Sequence, residues 1–193
     1  MQKGQIMKIL VDTGTILDVL CKRPEHFDVS SKIWKCCEIG LVEGYISALS
    51  IPSIEYILRN EFDNKKAAQI IRQITFIFNV IELKPSDLRE ASEMYYSDLE
   101  NAVQMCQAKR MKLDLIVSKK PVYFRDSRIP ALKPEKILEE ITRYALKDGT
   151  KAPSSPYHYG AASITSSKTY SIDEMQISFD DYLNGNVEEY NCG

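Results

Sequence analysis

Asp12 directly follows the apolar run MKILV at Met7–Val11, and its carboxylate is the first side chain placed to do chemistry. A short buried strand ending in Asp-Thr-Gly feeds a helix, and ligands of open parallel α/β sheets bind at the carboxyl ends of strands. Two more positions of that kind follow. One is Ser50–Glu55, after a second short strand; the other combines Asp98–Asn101 with Ser118–Lys120, after later strands. Carboxylates gathered at such an edge hold Mg²⁺ or Mn²⁺, and a pair of ions held this way supports phosphodiester hydrolysis. His26 and His158 are single and distant, so neither suggests a catalytic base. The chain shows no Ser-His-Asp arrangement and no phosphate-binding glycine loop.

The elements that must position these groups alternate. Met7–Val11 and Gly44–Ser47 read as short strands, and Ile16–Cys21, Val29–Ile39, Pro52–Phe62 and Lys65–Ile74 as helices. Phe76–Leu83 is β-branched and aromatic and predicts a third strand. Ser86-Asp87-Leu88 opens a helix to about Tyr96, and Ser97-Asp98-Leu99-Glu100 matches the capping-box pattern at the start of the next. Leu113–Val117, interrupted by Asp114, is a strand, Ile129–Leu132 a short edge strand, and Pro134–Ala145 a closing helix. Short strands alternating with helices predict parallel strands, crossover helices and a three-layer sandwich.

Composition bounds the rest. The 193 residues are 44% apolar and 27% charged, with net charge −2, so the chain lacks the basic footprint of a dedicated DNA-binding protein. The average hides a split: residues 1–146 carry net +2 and residues 147–193 net −4. Met1–Ile6 reads as a leader, 7–146 as the domain and 147–171 as a linker, with nine Ser/Thr in Thr150–Ser171. Residues 172–193 form an acidic amphipathic tail, with Ile172, Met175, Ile177, Phe179 and Leu183 among its acids. Such a tail either solvates the chain or folds back on the mildly basic body. Cys36, Cys37 and Cys106 lie in apolar helical patterns and read as reduced core thiols. The longest apolar stretch, about Ile74–Leu83, is too short to span a bilayer. Together these features predict a cytoplasmic protein.

The order LVDTGTILD, GYISALSIPSIEYILRN, SDLENAVQ, LDLIVSKKPVYF and IPALKPEKIL resembles the PIN domain family over about Met7–Tyr144. It is most similar to the small bacterial PIN proteins that include ribonuclease toxins of toxin–antitoxin pairs. The resemblance implies a Rossmann-like α/β/α fold and Mg²⁺- or Mn²⁺-dependent endoribonuclease activity. It also implies frequent homo-oligomers and a partner antitoxin. Carried over by position, the family's first acid falls on Asp12. The Asn two places later falls on Gly14, the acid of the second motif on Ser53, and the acid of the Asp-Ala step on Asn101. The Asn or Asp at the fourth strand falls on Lys120, and the Asp before the closing Phe falls on Tyr123.

One core acid therefore survives at the matched positions. Two carboxylates ~4 Å apart repel by about 4 kcal/mol at an effective dielectric near 20, so acids cluster only where a cation offsets them. The substitutions predict a degraded metal site with weak or absent ribonuclease activity and no bound cofactor. An ammonium at Lys120 would answer Asp12 directly. Asp98, one helical turn before Asn101 and part of the DLEN step, is the best substitute ligand; it also reads as a first-turn acid favoured by the helix dipole. Glu100 reads as the third-turn acid of the capping box, Glu55 as a surface acid and Asp18 as a helix-surface or capping group. An active enzyme would use Asp12 and Asp98 as catalytic metal ligands. Lys109, Arg110 and Lys112, with Lys119 and Lys120, form either a basic rim for an RNA backbone or a solvated helix end. Tyr95 and Tyr96 read as half-buried or base-stacking.

Overall fold

The computed structural model describes residues 6–94 and 98–148. Met1–Gln5, Tyr95–Ser97 and residues 149–193, with the linker and the tail, lie outside the described residues.

Strand β1 (Lys8–Val11) is followed by helices α1 (Thr13–Leu20) and α2 (Phe27–Glu38). Strand β2 (Glu43–Ser47) leads to α3 (Ser50–Glu61) and α4 (Asn64–Ile77), and β3 (Asn79–Ile81) to α5 (Pro85–Glu93) and α6 (Leu99–Arg110). After β4 (Leu115–Val117) comes a 3-10 turn (Pro121–Phe124), then β5 (Ala131–Leu132) and α7 (Pro134–Asp148). The sheet order is β3-β2-β1-β4-β5, with every neighbouring pair parallel. The three-layer α/β/α arrangement is as the sequence predicted.

Period-2 alternation along the central strands divides the core in two. Ile9 and Val11 of β1, Ile46 of β2 and Val117 of β4 pack with α1–α4 and α7. Leu10, Tyr45 and Ile116 face the other way, toward Ala102, Val103 and Cys106 of α6 and Ala91 of α5. Because β1 and β4 lie side by side with Val11 opposite Val117, Asp12 and Ser118 leave the sheet together. That register builds the pocket. The expected core thiols are buried and free, and burial pushes Cys36 up to about 12 and Cys106 to about 11.

One boundary departs from expectation. The segment predicted as strand from Phe76 is helical through Ile77, and β3 is confined to Asn79–Ile81. Ala67, Ile70 and Ile74 recur at helical spacing and are buried, so packing of this stripe overrides the β preference of Thr75–Ile77.

Gly44 on β2 is set by close approach. A Cβ there would lie 2.7 Å from both Cys37 Sγ and Phe78 Cδ1, and Phe78 is fixed edge-on against Trp34 at 5.0 Å. Gly44→Ala is expected to cost about 1–3 kcal/mol through overpacking. Urea denaturation measures it; an unchanged midpoint would show that Cys37 and Phe78 can yield.

Candidate functional site

The carboxyl ends of β1, β2 and β4, with the first turn of α6, bring two carboxylates together. Asp12 is the residue before α1, in extended backbone, and its Oδ2 accepts a hydrogen bond from Ser118 Oγ at 2.8 Å. Ser118 Oγ in turn accepts the Lys120 backbone N–H at 3.2 Å, which fixes the loop after β4. Burial is the main cause that raises the Asp12 pKa above its ordinary value. The Ser118 hydrogen bond and the Gly14 amide oppose the rise, and the nearby Glu100 charge adds to it.

Glu100 is the second carboxylate. Thr13 Oγ1 and Ser50 Oγ donate to its Oε1, the latter at 3.0 Å, and Ser53 Oγ donates to Oε2 at 3.0 Å. Gln104, one turn further along α6, donates its Nε2 to Oε1 at 3.3 Å and has a buried Oε1 without a partner. Helices α1, α3 and α6 are thus joined through one carboxylate.

Several expectations about individual residues are corrected by this arrangement. Asp98, not Ser97, caps α6: its Oδ1 accepts the amides of Glu100 at 2.9 Å and Asn101 at 3.4 Å. The capping frame shifts by one residue, so Glu100 is not a capping acid and its side chain is released into the pocket. Asp98 Oδ1 is thus engaged at the helix terminus. The Lys120–Asp12 pair is absent: the Lys120 ammonium lies over the Tyr123 ring, 5.5 Å from its centroid. The lysine that turns inward is Lys119, whose Nζ is 2.7 Å from Asp18 Oδ1. Asp18 is not on the helix surface but fully buried, with Arg23 Nη1 3.3 Å from the same oxygen. Lys119 leaves the loop just past β4 toward α1, the helix that carries Asp18.

The other predicted positions are placed as follows. Gly14 lies in the first turn of α1, where a Cβ would meet Lys119 Cε at 3.5 Å and Asp12 Oδ2 at 3.6 Å. Asn101 is buried beside Glu100 on α6, and Tyr123 stands half-exposed on the 3-10 turn. Ser53 has become a donor to Glu100. Lys109 pairs with Glu90, and Arg110 holds Asp87 with two contacts of 2.9 Å. These two tie α6 to α5, so they are structural partners and not an open basic rim. Lys112 is exposed just past α6 in the left-handed region, at φ 52. Glu55 pairs with Arg59 along α3, as a surface acid would.

The sequence reasoning missed Glu100 because a Ser-x-x-Glu spacing was available to explain it. The usable signal was its partner: Gln104 lies four residues later on the same face of a helix otherwise filled by Ala102, Val103, Met105 and Cys106.

The family resemblance implies divalent metal, and the donor set tests it. Among the described residues no group of three or more His, Cys, Asp and Glu converges. Both Glu100 oxygens and Asp12 Oδ2 already accept hydroxyl hydrogen bonds. Asp12 and Glu100 are thus the carboxylates of the pocket, whereas a two-ion centre of phosphodiester hydrolysis needs acids on both ions.

Asp12→Asn is expected to raise stability at neutral pH. A carboxyl whose folded pKa exceeds its unfolded value binds protons more tightly in the native state. Its contribution is fully present below the unfolded pKa and is lost as pH rises through the folded pKa. The amide removes that loss, so the melting difference should favour the variant at pH 7 and vanish in acid. A variant less stable at pH 7 would show that Asp12 is instead held by a favourable partner.

The carboxyl edge of this all-parallel sheet thus carries one acid after its first strand and another on the helix before its fourth. The chain belongs to the PIN domain family, whose signature matches residues 8–120. No curated protein sequence matches it in direct comparison. Solved structures share the fold at low identity. A chain of the DNA-bound VapBC from Salmonella typhimurium is 12% identical, with TM-score 0.52, covering 67% of this chain and 99% of that one. PAE2754 from Pyrobaculum aerophilum is 19% identical, with TM-score 0.51, covering 72% and 99%. A chain of FitAB bound to the IR36 DNA fragment is 15% identical, with TM-score 0.50, covering 65% and 94%. Among the described residues no helix is long and apolar enough to cross a membrane.

Proposed function

We propose that this chain is a PIN protein of the toxin–antitoxin type that binds RNA or a protein partner and cuts RNA weakly or not at all. The carrying observation is the pocket's two carboxylates, Asp12 and Glu100, each already met by hydroxyl donors. The matched positions Ser53, Asn101, Lys120 and Tyr123 supply no acid. An antitoxin-like partner is supported by the neighbours VapBC and FitAB, which are described as complexes. Homo-oligomer formation and residence in the cytoplasm belong to the same proposal.

Calorimetric titration with Mn²⁺ tests it. Binding no tighter than millimolar is expected, together with no cleavage of labelled structured RNA. Micromolar binding, or cleavage abolished by Asp12→Ala, would overturn the proposal in favour of an active Mg²⁺/Mn²⁺ endoribonuclease. One observation favours that second reading: Asp12 and Glu100 are close enough for the charge of one to raise the pKa of the other. In that case Glu100, rather than Asp98, would be the second acidic ligand.

A further inference from the structure

The end of the sheet that carries Asp12 and Glu100 is rimmed by exposed apolar side chains. Leu99 opens α6 and is 50% exposed; Val122 and Tyr123 on the 3-10 turn are 62% and 46% exposed. The turn packs against α6, so these groups belong to one end of the molecule. The flanking loop is cationic. Lys120, Arg125 and Arg128 are exposed there, against the single acid Asp126, which lies 3.6 Å from Arg125.

The sequence beyond α7 is complementary in both respects. Residues 172–193 contain Asp173, Glu174, Asp180, Asp181, Glu188 and Glu189 and no Lys, Arg or His. Ile172, Met175, Ile177, Phe179, Tyr182 and Leu183 are interleaved with the first four of these acids. Reach is adequate. Helix α7 starts beyond the carboxyl end of β5 and runs 15 residues, about 22 Å, back along the sheet. The contour length of residues 149–171 is at most roughly 80 Å, more than the return to the rim requires.

We propose that Ile172–Leu183 of this same chain docks in cis on the rim of Leu99, Val122 and Tyr123, beside Lys120, Arg125 and Arg128. Apolar side chains supply contact area, and the acids meet the cationic loop. The contact does not rest on the proposed RNA-binding function.

Photo-cross-linking tests the contact. The full chain carries p-benzoylphenylalanine in place of Phe179, and products are sized and mapped by mass spectrometry. The expected product has monomer mass and joins residue 179 to peptides containing Leu99 or Lys120–Arg125. Its yield should fall roughly fivefold in Lys120→Glu/Arg125→Glu, since several surface pairs are lost together. It should fall likewise in about 1 M salt, which screens such pairs without altering the chain. Three outcomes overturn the proposal: product mapping to another face, product of dimer mass, or no product. Mn²⁺ titration of the unmodified chain reads the pocket separately, so failure of the docking proposal and failure of the proposed function are distinguishable.

Discussion

Lys119→Ala is expected to lower the free energy of unfolding by about 3 kcal/mol, because it strands a buried carboxylate. Asp18 has no exposed surface, and its Oδ1 lies 2.7 Å from the Lys119 ammonium. Removing one member of a buried pair costs roughly 3–5 kcal/mol, most of it the uncompensated charge left behind. The low end applies because Arg23 remains 3.3 Å from the same oxygen. Asp18 Oδ2 has no partner to fall back on. For a domain of this size the loss corresponds to a fall in melting temperature of about 10 °C. Lys119→Arg should keep most of the stability. The double change Asp18→Asn/Lys119→Met should recover much of it, since it removes both charges together. A loss below about 1 kcal/mol for Lys119→Ala would mean that Arg23 or solvent supports Asp18 unaided. The pair also has a local consequence. Lys119 crosses beside Gly14, so its tether to α1 holds the loop after β4 against the pocket.

The strands that build the pocket were legible because each is a short apolar run stopped by a polar residue. MKILV before Asp12 and GYIS before the Ser50 region both form β-strands at those places. The parallel direction of the strands was implied by alternation with helices, since parallel neighbours require crossovers; their order was not. The boundary at Phe76 was not legible, because β-branched and aromatic side chains carry a local preference that burial of Ile70 and Ile74 outweighs.

The site was legible at Asp12 and obscured at Glu100 and Lys119 by a single ambiguity, that of register. Ser97 and Asp98 are both good cap residues, and choosing the second moves Glu100 from the cap into the pocket. Lys119 and Lys120 are identical in type and adjacent, and in the loop after β4 the first reaches Asp18 while the second lies over Tyr123. Pattern places an element; a shift of one residue within it decides which side chain does the chemistry.

Restoring acids at the matched positions should convert the pocket into a metal site. The variant Ser53→Glu/Asn101→Asp/Lys120→Asp puts carboxylates at the positions matched to the family's acids and removes the Ser53 donor that now answers Glu100. Without a cation it should be clearly less stable than the parent chain, because each pair of carboxylates ~4 Å apart repels by about 4 kcal/mol at an effective dielectric near 20. Divalent cation should reverse that. Excess Mn²⁺ at about 100 times the dissociation constant contributes roughly 2.7 kcal/mol to the folded state. Melting with and without Mn²⁺ should therefore diverge widely for the variant and hardly at all for the parent. Manganese affinity should rise by at least about 100-fold, equivalent to roughly 2.7 kcal/mol, less than one relieved carboxylate repulsion. Labelled RNA should then be cut in Mn²⁺ by the variant and not by the parent. If the variant folds yet shows no metal-dependent gain in melting temperature, charge at positions 53, 101 and 120 is not what separates this chain from a metal-loaded PIN pocket. The deficit would then lie in geometry, most directly in the three donors that still hold Glu100, from Thr13, Ser50 and Gln104.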